Sequence, residues 1–145
     1  MEKMIESDYK RLITNALTAM GWDIQWHEDA FVKYIPDISF GAHGIDGWIE
    51  VKFKQDPPKR IGDIKHYTKG QEDWLRKRGA VGAGRCYVVL GTGVGHLALP
   101  HTSLSNARTA TYIAAQSLPG ALWAPGPPEF VAGFCQQLDH RIRRT

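Results

Sequence analysis

Residues 45–54, Ile-Asp-Gly-Trp-Ile-Glu-Val-Lys-Phe-Lys, constrain this chain more than any other stretch. From Trp48 onward polar and apolar residues alternate with a period of two, which fits a strand and not a helix. Trp48, Glu50, Lys52 and Lys54 then share one face, while Ile49, Val51 and Phe53 share the other and ask for a core. An acid and a lysine therefore stand next to each other on a strand that is otherwise apolar. Upstream, a run from about Phe31 to Phe40 reads as a neighbouring strand and carries a second acid, Asp37, directly after Pro36. Gly41-Ala42-His43-Gly44 supplies the turn between the two, with Asp46-Gly47 tightening the return; His43 and Asp46 read as turn residues, not ligands. A proline inside a strand predicts an edge or a bulge, and a bulge here would aim the Asp37 carboxylate. Ionised groups buried in this way are costly unless they pair or bind metal. The plainer alternative is a hairpin with a solvated charged face, on which Glu50 and Lys52 form a surface pair.

Taken together, Pro36-Asp37 and Glu50-Val51-Lys52 resemble the signature of the PD-(D/E)xK nuclease superfamily. The resemblance implies that Asp37 and Glu50 hold a divalent cation, Mg2+ or Mn2+, and that the backbone carbonyl of Val51 adds a ligand. It implies that Lys52 orients or activates water and stabilises negative charge as it develops. Those residue types suit the chemistry. Hard cations take carboxylate oxygen and keep several waters, and a bound metal makes hydroxide accessible near neutral pH. The pattern Gln71-Glu72-Asp73-Trp74-Leu75, followed by a glycine and an apolar strand, is similar to VRR-NUC and Holliday-junction-resolvase-like nucleases of phage and bacteria. From that likeness follow DNA as the partner, branched or flapped DNA as the substrate, and an α/β restriction-endonuclease-like core. Such a core has a mixed central sheet flanked by helices. Glu6 and Gln71 match positions that support the site in such proteins. The residues alone leave both open, since Glu6 also suits a positive helix N-terminus and Thr68-x-x-Gln71 has capping-box spacing. The alternative function is a catalytically silent nucleic-acid- or protein-binding module on the same fold.

The remaining chain is consistent with one domain of 145 residues, with a core over about 2–99 and a helical extension over about 101–145. Residues 4–20 have helical spacing, with Ile5, Tyr9, Leu12, Ile13, Ala16, Leu17 and Met20 inward, Lys10 and Thr14 outward, and Gly21 as the stop. Trp22–Glu28 reads as a strand, followed by a turn at Glu28-Asp29-Ala30. Pro57-Pro58 ends the strand that carries Lys52, so 55–66 reads as a mobile basic loop. A helix follows from Thr68 to about Arg78, closed by Gly79, and then a strand over 85–90. The glycines at 91–95 read as a hairpin turn into a strand over 96–100; a phosphate loop would need a Gly-Lys-Ser/Thr ending and a following helix. Residues 106–118 and 130–144 read as helices, with a loop around Trp123 between them.

The net charge of +3 proves no partner, but its distribution says more. Val51 to Ala80 holds nine Lys or Arg against four Asp or Glu, and Lys54, Lys59, Arg60, Lys65 and Lys69 are the candidates for phosphate contact. The acidic start and the lack of a membrane-length apolar run predict a cytoplasmic protein, of a bacterium or a phage-infected host. Cys86 and Cys135 read as buried thiols and neither lies in a Cys-x-x-Cys pair, which argues against a structural zinc site. The segment beyond residue 100 could set substrate choice or form the interface of a homodimer.

Overall fold

The computed structural model describes residues 4–27, 34–64, 67–82 and 85–144. Six strands form one sheet in the order in which they occur along the chain: β1 (Asp23–Trp26), β2 (Ile38–Ala42), β3 (Ile45–Phe53), β4 (Arg85–Gly91), β5 (Gly95–Pro100) and β6 (Leu122–Pro125). Every neighbouring pair is antiparallel except β3–β4, which is parallel with Glu50 beside Val88 and Lys52 beside Leu90. Parallel neighbours need a long crossover, and here it contains helix α2 (Lys69–Val81).

The alternation in β3 sorts the two faces. Ile49 and Val51 join Tyr87, Val89 and Ala98 in one apolar cluster under α1 (Glu6–Ala19) and the last helix, Val131–Arg143. Cys86, Val88, Leu90, Leu97 and Leu99 face the opposite cluster with Leu75 of α2. That side is closed by α3 (Leu104–Thr109) and α4 (Tyr112–Ala115), so the last helix is α5. The result is a mixed sheet with helices on both faces. No helix among the described residues is long and apolar enough to cross a membrane.

Several local expectations are corrected. β2 begins at Ile38, so Pro36 and Asp37 precede the strand instead of bulging within it. The first part of the expected second strand (residues 31–33) and all of the expected turn at 28–30 lie outside the described residues. The β2–β3 turn is only His43-Gly44, both in the left-handed region at φ +53° and +79°, as a tight two-residue hairpin requires. Asp46 and Gly47 belong to β3. Helix α2 passes through Gly79, where the His101 ring lies against the bare backbone and leaves no room for a Cβ. The 106–118 helix is two short ones, α3 and α4, interrupted at Ala110. The loop around Trp123 is strand β6, because Leu122 and Trp123 pair with Ala98 and Leu97. The described part of the 55–66 segment, residues 55–64, is not a free loop. Ile61 and Ile64 are buried, a short 3-10 turn forms at Ile61–Asp63, and Arg60 bridges to Thr111.

A polar staple ties α5 to the start of β1 and to the β2–β3 turn. Asp139 of α5 accepts from Trp22 Nε1 at 2.7 Å, lies 2.7 Å from His43 Nε2 and meets Arg143 at 3.2 Å. Burial pushes its carboxyl up, but the bonds from Trp22 and His43 and the charge of Arg143 outweigh burial and hold it below the usual range. Removing this acceptor leaves the indole N–H of Trp22, a buried residue, without a partner. Asp139→Ala should therefore destabilise the fold by about 1.5–3 kcal/mol, read from urea denaturation; an unchanged midpoint would show that the staple contributes nothing.

Candidate active site

The site forms where the ladder between β2 and β3 stops. Its last pair is Ile38 beside Ile49, whereas β3 continues to Phe53 with only β4 beside it. Extending the antiparallel register by two residues would set Pro36 opposite Val51. Proline has no N–H, so it cannot donate to the Val51 carbonyl as a ladder partner would. The Val51 N–H is taken instead by the Asp37 side chain, whose Oδ2 accepts it at 3.0 Å. A strand residue's N–H and C=O leave along the same edge, so the Val51 carbonyl is directed to the Asp37 side. Lys54 N–H donates to Gly91 O at 3.0 Å, which places the even-numbered backbone groups of β3 on the β4 side and agrees with this alternation.

Glu50 and Lys52 project from β3 toward α2, and both are only 2% exposed. The solvated-hairpin alternative therefore does not hold. Lys52 Nζ lies 3.0 Å from Glu50 Oε2, and the Asp37 and Glu50 carboxyls are within hydrogen-bonding reach of each other. Burial, and next the Asp37 charge, push the Glu50 carboxyl up to about 8, against the lowering effect of Lys52. Burial is thus the main reason the Glu50 anion is disfavoured, and the like charge of Asp37 adds to it. Asp37 is the more open member, with a side chain 22% exposed, and Lys10 of α1 approaches its Oδ1 at 3.5 Å.

The other expected residues divide. Gln71 reaches Glu50 Oε2 through Nε2 at 3.5 Å while its Oε1 accepts from Thr68 N–H at 3.2 Å. The cap and the contact with Glu50 are made by opposite ends of one amide. Glu6 opens α1 half-buried, and among the described residues no hydrogen bond or ion pair joins it to Asp37 or Glu50. Lys10, one turn further along, makes that reach instead. It was expected on the outer face of the helix together with Thr14, but Thr14 is buried and the Lys10 side chain is 13% exposed. The only sequence signal for Lys10 was its place one turn beyond Glu6. Lys54, Lys59 and Arg60 are exposed, Lys65 lies outside the described residues, and Lys69 is held by Glu72 and Asp73 at 3.2 and 3.1 Å.

The donor chemistry fits a hard divalent cation. The Asp37 carboxylate, the neighbouring Glu50 carboxyl and the Val51 carbonyl are all oxygen, and a cation would offset both the burial and the Asp37 charge that push Glu50 up. Among the described residues no group of three or more His, Cys, Asp or Glu gathers into a metal cluster.

No family model matches this sequence, and no curated protein matches it. Among solved structures, it is similar to Hjc of Archaeoglobus fulgidus, a Holliday junction resolvase from an archaeal hyperthermophile. The TM-score is 0.59 at 17% identity, over 88% of this chain and 99% of that one. The chain has the restriction-endonuclease-like fold. At that identity the likeness speaks for architecture, and the site residues rest on their own geometry.

The raised Glu50 carboxyl has a consequence for stability. Between about pH 4.5 and 8 the folded protein keeps a proton on Glu50 that the unfolded chain releases. Without divalent cations, the Glu50 contribution to stability is therefore full below the lower value and is lost as pH rises through the upper one. Glu50→Gln should flatten this slope and be the more stable protein at the alkaline end, read from urea denaturation across that window. Parallel slopes for the two proteins would show that Glu50 titrates normally.

Proposed function

We propose that this protein is a divalent-metal-dependent endonuclease that hydrolyses phosphodiester bonds in DNA, with branched or flapped structures as its substrates. The observation that carries the reading is the break in the sheet, where Asp37 and Glu50 meet on the edge vacated by β2 with the Lys52 ammonium 3.0 Å from Glu50. An acid pair of this kind is costly to a fold and contributes nothing a hydrophobic pair would not, whereas phosphate chemistry needs it. The sequence resemblance of these residues to the PD-(D/E)xK pattern, and to that of the VRR-NUC and Holliday-junction-resolvase-like nucleases, supports the same reading.

Each residue then has a physical role. Asp37, Glu50 and the Val51 carbonyl would hold Mg2+ or Mn2+, which supplies charge for phosphate oxygens and an acidified water. Asp37 presents itself toward solvent because its other oxygen is pinned by the Val51 N–H. Lys52 is a compact positive charge fixed in a dry setting, where it stabilises negative charge developing on the phosphate more strongly than a solvated lysine would. Gln71 fixes the orientation of Glu50, and Lys10 balances Asp37. Glu6 is proposed as a supporting acid at the helix start. Lys54, Lys59, Arg60 and Lys65 would contact flanking phosphates, and Lys69 would do so on leaving Glu72 and Asp73. DNA approaches from the Asp37 side, since Glu50 and Lys52 are covered.

One observation favours the silent binding module. Lys10 already stands beside Asp37 and Lys52 beside Glu50, so positive charge is at hand without a cation. Turnover separates the two. With Mg2+ or Mn2+ present, Asp37→Asn and Glu50→Gln should abolish cleavage and leave metal-free DNA binding intact, and Lys52→Ala should lower the single-turnover rate by about a hundredfold with little change in affinity. Lys52→Arg should not restore the rate, because a planar fork does not fit where an ammonium stood. Wild-type protein that binds branched DNA and never cuts it would favour the silent module.

The basic segment gives a separate measurement. Neutralising Lys59 and Arg60 together should weaken DNA binding and lower the slope of log affinity against log salt by roughly one for each phosphate that is no longer neutralised. An unchanged slope would remove this segment from the DNA path.

A further inference from the structure

Behind Glu50 lies a second polar group that the proposed chemistry does not use. Glu72, the residue after Gln71 in α2, is 1% exposed and is a carboxylate on the core side of that helix. Arg108 of α3 donates from Nε to its Oε1 at 3.2 Å, and Lys69 donates to its Oε2 at 3.2 Å. The Arg108 guanidinium also lies over the ring of Tyr67, 5.4 Å from its centre. Among the described residues, the Tyr67 hydroxyl and Arg108 Nη2 are buried without a hydrogen-bond partner. Buried polar groups in native proteins are nearly always satisfied, so an arrangement with two orphans is not one that packing alone would select.

The three residues come from three segments that meet at the start of α2. Tyr67 directly precedes Thr68, whose side chain and backbone form the cap with Gln71. Glu72 follows Gln71. Arg108 arrives from the segment beyond residue 100, and its backbone packs on Gly62, where a Cβ would lie 2.6 Å from the Arg108 carbonyl oxygen. Ile61 N–H donates to Ala110 O at 3.1 Å and fixes the same contact. Burial first, and then the charge of Glu72, oppose ionisation of Tyr67, and Glu50 is among the other charges it feels, so this group adjoins the Asp37–Glu50 site. The only hydrogen-bond route from it to Glu50 that the distances give is the first turn of α2, which ends in Gln71 Nε2 at 3.5 Å from Glu50 Oε2 among the described residues.

We infer that Arg108 is a positioning residue of the active site: by gripping Glu72 and covering Tyr67, it holds the first turn of α2 so that Gln71 meets Glu50. The α3 segment, for which the sequence offered no motif, thereby acquires a role in the site. This rests on the nuclease reading for its effect on rate, and not for its effect on the helix.

The test is a double-mutant cycle at saturating branched DNA and Mn2+, with Arg108→Met, Gln71→Ala and both together. Each single change should lower the single-turnover rate by about tenfold, and the double should be no slower than Gln71→Ala alone, since Arg108 acts through Gln71. Affinity for DNA without metal should stay within about twofold, because neither residue is assigned to phosphate. Rate losses that multiply in the double variant would overturn the inference, as an independent structural role predicts them. Amide exchange at residues 68–72 is measured on the same proteins without DNA. Arg108→Met should speed exchange there by about tenfold while the β3–β4 amides keep their protection. Unchanged exchange at those amides would also overturn it. If Arg108→Met does not fold, Arg108→Lys carries the cycle and the exchange measurement, since it keeps the charge but lacks the fork that grips Glu72 while lying over Tyr67. A wild type that never cleaves DNA would defeat the nuclease reading, and the exchange result would still decide the role of Arg108.

Discussion

The hydrogen bond from the Val51 N–H to Asp37 Oδ2 is the interaction on which the rest of the site depends. A sheet tolerates the end of a ladder only if the freed backbone groups find partners. Here the chain meets that requirement with a side chain in place of a strand, and so the first residue past the ladder is an acid whose carboxylate is held against β3. Pro36 makes the exchange one-sided. It withholds the donor that would otherwise occupy the Val51 carbonyl, so one backbone group is satisfied and the other is left at the edge beside Asp37. Pro-Asp is thus a statement about sheet geometry before it is one about catalysis.

The second constraint is burial. Glu50 and Lys52 lie on the face of β3 that packs under α2, where Val88 and Leu90 of the adjacent strand are core residues. An ion pair placed there carries a desolvation cost of several kcal/mol per ion, and its mutual attraction repays this only with good geometry and further hydrogen bonds. Gln71 supplies one such bond. Around it stand Thr68, Glu72, Arg108 and Tyr67, so the polar layer runs from the sheet through the first turn of α2 to α3. This layer lies on the α2 face of the sheet, beside the apolar cluster of Leu75, Val88 and Leu90. A stable fold of this size would not require it, which is the physical reason to read it as functional.

Much of this was legible in the chain because period-two alternation and turn chemistry act locally. The faces of β3 followed from Trp48 to Lys54, and the helix and apolar strand after it were legible, although their sequence did not say which pair of strands is parallel. The pairing of Asp37 with Val51 was not legible, because it depends on where β2 stops. The alternation suggested a longer strand with a bulge at Pro36. Lys10 was assigned to solvent by helical periodicity, yet a long lysine stem can lie along an apolar surface and bring its head to Asp37. Strand β6 escaped notice because four residues among prolines and glycines give no periodic signal, and only its pairing with β5 makes it a strand. The basic 55–66 segment looked free from composition, but Ile61 and Ile64 anchor it, two apolar residues whose spacing matters only once α3 is in place. Arg108 and Glu72 lie 36 positions apart and share no motif, so nothing before the fold could have joined them.

The central claim is that Asp37 and Glu50 together hold a divalent cation. The most direct measurement is anomalous X-ray scattering from crystals of the wild-type protein soaked in Mn2+ near neutral pH. The account predicts a peak between the two carboxyls, on the Val51 side of β3, that disappears in Glu50→Gln crystals treated in the same way. Crystals in which both carboxyls are ordered and no peak lies between them, or in which the cation binds elsewhere, would contradict it.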